Sequence, residues 1–423
     1  VELEGHGREE QVVPGADLVR TVGWFTSEYP VRLPAAAGGP AAVVRGVKER
    51  LRAVPDGGIG YGLLRYLAGD APAAEPEILF NYLGRFTVAD AGDWGIAAEL
   101  PAAHATADPR MPVRHRLAVN ASTVDTADGP VLRTEFAYPA GALADSDARR
   151  IADDWLAALV AVQVAANQPG AGALTPSDVP LAGLDAEALD ELAARWPGLT
   201  DVLPLSPLQQ GLYFLASLDD AGADVYTVQQ VFTLTGPVDA GRLRAAAVAL
   251  LERYPNLRGG FDRTAAGRPV QVIPAAAEVP FAELDLSTVD DPADALAGLV
   301  AAERRRRFDL QAPPLLRFVL VRLGAGEHRL VLTQHHLLMD GWSGPLAMRD
   351  LFQLYAGEPG PAPRPYRDHL AWLAAQDGDA ATSAWRDALA GVVEPTLVAP
   401  GAPRTAVLPE VAEFVVDEPA AGR

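Results

Sequence analysis

Gln334-His335-His336-Leu337-Leu338-Met339-Asp340-Gly341-Trp342-Ser343 lies between an apolar strand pattern, Arg329 to Gln334, and a helical pattern from Pro345 to Tyr355. Two adjacent histidines therefore sit at a strand-to-loop exit, a place where rigid scaffolds present reactive groups. Imidazole titrates closest to neutrality of all side chains, so a histidine here is a natural proton acceptor. Asp340 follows His336 closely enough to fix the loop. Taken alone, the pair also suits an ordinary strand end. A metal site finds no support, because there is no HExxH pattern, no cysteine and no evident third ligand. Gly341-Trp342-Ser343-Gly344 is one residue short of the GxSxG nucleophile elbow.

Working outward, the helix Asp239 to Arg253 and strands at Tyr226 to Thr235, Pro269 to Ile273 and Leu316 to Leu323 surround this stretch, with helices at Pro207 to Leu218 and Ala293 to Arg307. Upstream, Glu77 to Tyr82 and Arg116 to Asn120 read as strands between the helices Ala41 to Val54 and Ser146 to Val164. Asn167-Gln168-Pro169-Gly170 breaks the periodicity, and a short helix from Asp185 to Trp196 precedes its restart after Pro204. The expectation is an α/β (α+β sandwich) fold in two lobes: 1–166, a linker over 167–203 with a short helix, and 204–423.

With 423 residues and roughly 150 per domain, two or three compact units are expected. The composition is 49% hydrophobic and 21% charged with a mean hydropathy of +0.07, which excludes a disordered chain. No apolar run approaches the roughly 18 residues of a spanning helix, so no membrane partner is expected. The absence of cysteine removes disulfides, thiolate zinc sites and cysteine nucleophiles, and fits a reducing, cytoplasmic setting. A formal charge of −20 repels phosphate backbones and argues against nucleic acid. Val1 opens without Met or a signal segment, and Leu408 to Val416 reads as a strand close to the terminus, so both ends read as cuts in a longer chain.

His335-His336 through Asp340-Gly341 resembles the HHxxxDG motif of the condensation domains of nonribosomal peptide synthetases. Leu205-Ser206-Pro207-Leu208-Gln209-Gln210-Gly211 is similar to that family's opening motif. Arg253-Tyr254-Pro255-Asn256-Leu257-Arg258-Gly259-Gly260-Phe261 resembles RHxxLRxxF with Tyr for His, and Tyr366-Arg367-Asp368-His369-Leu370-Ala371-Trp372 resembles YxDFAxW with His for Phe. The first part carries a different signature. Glu4-Gly5-His6-Gly7-Arg8-Glu9 is similar to the EGHGRE motif of epimerisation domains, and segments at Arg20 to Pro30, Gly58 to Gly62 and Phe80 to Arg85 follow in that family's order. Read by itself, Gly58 to Gly62 is a flexible glycine loop whose spacing fails the dinucleotide fingerprint.

The resemblance implies two chloramphenicol acetyltransferase-like lobes: the C-terminal lobe of an epimerisation domain and the N-terminal lobe of the next condensation domain, each with an incomplete cleft. It implies peptide-bond formation between thioesters tethered to 4'-phosphopantetheine on carrier domains upstream and downstream, with no cofactor bound directly and with adjacent domains of the same synthetase as partners. The domain order implies a D-configured donor. His336 takes the proton-handling role and His335 a structural one. Asp340 is expected in a buried ion pair with Arg258, next to Gly341. Glu4 matches the epimerisation glutamate. Asn81, Tyr82, Trp342 and Ser343 are candidate cleft residues. The alternatives are a catalytically incomplete carrier-docking scaffold and a coenzyme A-dependent acyltransferase. His6, His104, His115 and His328 read as surface or packing residues, Arg304 to Arg307 as a solvated charge run at a helix end, and Asn120-Ala121-Ser122 as an inert glycosylation sequon.

Overall fold

The computed structural model describes residues 1–12, 15–33, 38–70, 75–86, 114–126, 128–168, 171–218, 224–399, 401, 412 and 414. The chain divides into two compact units, Val1–Ser177 and Asp178–Arg423. His104 and most of the expected strand Leu408 to Val416 lie outside the described residues.

The first unit contains β1 (Glu2–Gly5), β2 (Ser27–Pro30), α1 (Pro40–Arg52), α2 (Ile59–Leu63), β3 (Ile78–Phe86), β4 (Leu117–Thr126), β5 (Gly129–Ala137) and α3 (Asp145–Ala166). The strands form one sheet in the order β2-β1-β3-β4-β5. Side chains of a strand alternate between faces, so register partners across the sheet share a face. Tyr29, Leu3, Phe80, Val119 and Phe136 are aligned in this way. Phe136 meets Trp155 of α3 edge-on at 5.9 Å, which identifies the face that α3 covers. The glycine loop expected at Gly58 to Gly62 is instead a tight turn running into α2. Gly58 has φ +84°, and a Cβ there would lie 2.1 Å from the Tyr29 ring, so Gly58 serves close approach to β2 rather than flexibility.

The second unit contains α4 (Ala186–Arg195), β6 (Leu199–Pro204), α5 (Pro207–Ala216), β7 (Thr227–Thr235), α6 (Ala240–Arg253), β8 (Gly260–Arg263), β9 (Pro269–Pro274), β10 (Phe281–Asp285), α7 (Pro292–Arg305), β11 (Leu316–Gly324), β12 (Glu327–His335), α8 (Ser343–Ala356), α9 (Tyr366–Ala374) and α10 (Gly378–Ala388). The division between units falls inside the segment read as a linker. The later part of that segment is no tether, because β6 pairs with β9 in a three-stranded sheet and Leu189 and Leu192 of α4 are buried.

The main sheet has the order β10-β11-β12-β7. Six consecutive residues, Leu316 to Val321, are buried on β11, the pattern of a strand covered on both faces. On one face Phe318, Leu320, Leu330 and Leu332 pack with Leu243, Leu250 and Leu251 of α6 and with Met348 and Leu351 of α8. On the other, Val319, Val321 and Val331 meet Leu296, Leu299 and Val300 of α7. At the far end of α6, Asp350 of α8 accepts hydrogen bonds from Arg253 Nε (2.9 Å) and the Tyr254 hydroxyl (2.7 Å), tying the two helices together.

Replacing Leu330, which is fully buried in the larger core, by Ala is expected to destabilise the second unit by about 2–5 kcal/mol. Trp385→Ala on the exposed side of α10 should change stability by no more than about 0.5 kcal/mol. Urea unfolding curves of the two variants check the contrast.

Candidate active site

β12 delivers the two histidines in opposite directions. His335 ends the strand opposite Thr227 of β7 and is fully buried. Its Nδ1 accepts a hydrogen bond from the Leu337 amide at 3.1 Å, so in the neutral ring the proton resides on Nε2. That Nε2 lies 3.1 Å from Asp224 Oδ2, off the line of an ideal hydrogen bond. Burial pushes the Asp224 carboxyl up, but its contacts with His335 and the Tyr226 amide outweigh this and hold it below the usual range.

His336 has the reverse arrangement. Its amide continues the ladder by donating to Tyr226 O, and its ring turns out of the sheet with Nδ1 3.0 Å from Met339 O. A carbonyl only accepts, so the neutral imidazole keeps its proton on Nδ1 and leaves the Nε2 lone pair free. His336 lines a cavity of about 770 Å³.

The same cavity collects all four downstream motifs. Ser206 and Gln209 come from the start of α5, Tyr254 and Asn256 from the turn after α6, Asp340 from the loop before α8 and Ser343 from its first turn, and Tyr366, His369 and Trp372 from α9. Ser206 and Gln209 form a reciprocal capping box. Gln209 also donates to Leu337 O at 2.9 Å and accepts from the Tyr366 hydroxyl at 3.2 Å, so one glutamine links three motifs. Burial, with the negative charge of Asp340 adding to it, pushes the Tyr366 phenol up. His369, which stands where the motif has Phe, keeps the stacking role of that ring, with centroids 5.9 Å from Tyr366 and 5.8 Å from Trp372.

The expected buried pair between Asp340 and Arg258 is not formed. Asp340 is exposed, and its Oδ1 accepts from the Ser343 amide at 2.8 Å. The first-turn amides of α8 have no intrahelical acceptor, so a carboxylate in front of them needs no arginine. Hydrogen bonds from the Ser343 hydroxyl and amide hold this carboxyl below the usual range. Arg258 donates instead to Pro274 O at 2.7 Å and to Leu251 O at 3.4 Å, satisfying strand-end and helix-end carbonyls. Ser343 lines the cavity; Trp342 points to solvent at 82% exposure and does not line it.

In the first unit, Glu4 of β1 accepts a hydrogen bond from Asn81 Nδ2 at 2.6 Å. Burial and the Glu28 carboxylate directly opposite on β2 push Glu4 up, against the lowering influence of His115 and Asn81. His115 is no bland surface residue: its Nε2 lies 2.5 Å from the buried Glu2, and Arg114 bridges Glu2 and Glu28 at 3.0 Å each. Asn81 and Tyr82, expected to share a cleft, point to opposite faces as neighbours on a strand must, and Tyr82 bonds Thr123 at 2.9 Å. Sequence reasoning missed Gln209, Tyr366 and Asp224 as contributors. Gln209 carried a local signal in the Ser-x-x-Gln capping pattern and Tyr366 in the motif it opens, whereas Asp224 carried none.

Because Asp340 serves the helix end, Asp340→Ala is expected to cost about 0.5–2 kcal/mol, the range of a lost cap rather than of a broken buried pair. With its pKa depressed, the contribution is present above the ordinary aspartate range and disappears as pH falls through the lowered value. A double-mutant cycle with Arg258→Ala should give a coupling within about 0.5 kcal/mol of zero.

A family model described as the condensation domain matches residues 1–178 and 199–408. A linear gramicidin synthase of Brevibacillus parabrevis is 36% identical over 418 residues, covering 94% of this chain and 5% of the synthase. Bacitracin synthase 3 of Bacillus licheniformis is 32% identical over 410 residues, covering 93% of this chain and 6% of the synthase. The chain therefore spans only a small part of the length of these relatives. Among solved structures, the starter condensation domain of rhizomide synthetase RzmA is similar with 21% identity and a TM-score of 0.42, covering 46% of this chain and 50% of that one. With the family model matching in both compact units, the chain belongs to the condensation-domain family.

Proposed function

We propose that the chain is an interior piece of a nonribosomal peptide synthetase. Its second unit is then the N-terminal lobe of a condensation domain that joins a donor and an acceptor thioester. Its first unit is the C-terminal lobe of an upstream epimerisation domain. The observation that carries the condensation reading is the free Nε2 of His336 at a cavity where four motifs meet.

In this reading the acceptor's α-amine attacks the donor thioester carbonyl. The new C–N bond forms, the C–S bond breaks, and the amine proton passes to the departing thiolate. The His336 Nε2 lone pair accepts that proton or orients the amine through the same hydrogen bond. His335, locked between the Leu337 amide and Asp224, has no lone pair to offer and holds the loop. Both substrates are tethered to 4'-phosphopantetheine on carrier domains, which are the partners of the reading along with neighbouring domains of the synthetase. The likeness to a linear gramicidin synthase and to bacitracin synthase 3 supports it. For the first unit, the elevated Glu4 carboxyl with Asn81 upon it suits an acid/base group acting on one face of a substrate α-carbon, the opposite face being served by a lobe outside this chain.

In the full-length synthetase, His336→Ala should slow peptide-bond formation by about 10²–10⁴-fold without altering the unfolding midpoint. His335→Ala should act through stability instead, lowering that midpoint. Equal catalytic losses in two well-folded variants would count against the assignment, and unchanged turnover in His336→Ala would favour a docking scaffold. Glu4→Gln should abolish epimerisation. With the epimerisation site disabled, D-peptidyl donors should condense at least tenfold faster than L donors, which takes only about 1.4 kcal/mol of differential transition-state binding. Single-turnover assays with each donor preloaded on the upstream carrier measure this, and an L preference would overturn the D-donor reading.

A further inference from the structure

The face of the first sheet that α3 does not cover carries a continuous polar row. Glu28 of β2 pairs with Glu4 of β1, and Asn81 of β3 reaches Glu4 through its amide. Asn81 is in register with Asn120 of β4, and Asn120 with Glu135 of β5. One residue along each strand, the opposite face carries the apolar row Tyr29, Leu3, Phe80, Val119 and Phe136. A strand alternates faces for the sake of a core on one side, which explains the apolar row. It does not require two carboxamides in the middle of the other.

The two amides are used differently. Asn81 donates to Glu4 and is committed to that carboxylate. Asn120 is half-buried, and its carboxamide has no hydrogen-bond partner among the described residues. Glu28 and Glu135, further out in the row, both have partners. With strands about 4.8 Å apart, Asn120 lies about 10 Å of backbone from Glu4. Asn81 of the intervening β3 stands between the two positions, so a substrate laid over this face would meet Glu4 and Asn120 on either side of Asn81.

We propose that Asn120 is a further catalytic residue of the Glu4 site, donating its Nδ2–H to the carbonyl oxygen of the carrier-bound aminoacyl or peptidyl thioester. The proposal rests on the epimerisation reading of the first unit and deepens it. When the α-C–H bond breaks toward Glu4, the proton passes to the carboxylate and the electron pair moves into the C–C bond, leaving negative charge on the carbonyl oxygen as an enolate. Asn120 stabilises that oxygen. Return of a proton to the opposite face, from a general acid of the companion lobe, restores the C–H bond and the carbonyl, and the donor amide is unchanged throughout. Removal of an amide donor that faces developing negative charge costs about 10²–10³-fold in kcat.

The test uses the full-length synthetase with its carrier loaded with the L substrate, measuring both α-proton exchange into D₂O and L-to-D conversion. Asn120→Ala is expected to slow both processes by at least a hundredfold with the half-saturating carrier concentration little changed. Asn120→Asp, nearly the same shape but placing a negative charge beside the enolate, should lose at least as much while keeping the fold, and it decides the matter if the alanine variant does not fold. Ser122→Ala, two residues along the same face, should remain near parental rates. Asn120 variants within about twofold of the parent, alongside a dead Glu4→Gln, would overturn this proposal alone. An active Glu4→Gln would instead overturn the epimerisation reading on which it stands.

Discussion

The pairing of β12 on both edges and its burial on both faces is the constraint on which the second unit depends. Bonded to β11 on one side and β7 on the other, with α6 and α8 over one face and α7 over the other, the strand has a single register that keeps Leu330, Val331 and Leu332 covered. A slip of one residue would exchange the sets facing the two cores. The same register fixes where the strand stops and sends His335 inward and His336 outward. The separation of a buried imidazole, bonded through Nδ1 and with Nε2 beside Asp224, from one turned out with its Nε2 free follows from backbone geometry.

Around that strand end, neighbouring elements supply groups that leave little freedom to the loop. The Met339 carbonyl sets the proton position on His336, Asp340 fills the first-turn amides of α8, and Gln209 joins α5, the histidine loop and α9. The contacts at Met339 O, Ser343 N and Leu337 O each satisfy a backbone group that helix ends or loops would otherwise leave unpaired, so the motifs of the sequence double as local structural devices. The departures from the family pattern fit the same logic. Tyr254 reaches Asp350 with its hydroxyl, and His369 stacks between two rings where a phenyl would stack as well.

The first unit uses a sheet in another way. One face is consumed by α3, and the other carries carboxylates and amides in register across five strands. Glu4 is elevated because burial and Glu28 act on it together, while Arg114 restrains Glu28 and Glu2. Like charges on adjacent strands are costly, and here the cost is offset by Arg114 and His115, just before β4.

Much of the architecture was legible in the sequence because it is local. Alternation and helical spacing gave the central strands and main helices to within a few residues, and the strand-to-loop exit at His335 and His336 followed from the apolar run before it. Short strands such as β1, β2, β8 and β10 were not legible, since four or five residues carry too little periodicity and acquire strand geometry only by pairing. The linker was read too long for the same reason: β6 is a strand because β9 lies beside it. The residues of the four motifs were visible, but their meeting in one cavity was a matter of packing. Tertiary structure alone decided that Asp340 turns to a helix end rather than to Arg258, that Tyr82 leaves the face of Asn81, and that Asp224 stands beside His335. A side chain's partner is set by which backbone groups folding leaves unsatisfied nearby, and a linear sequence does not contain that neighbourhood.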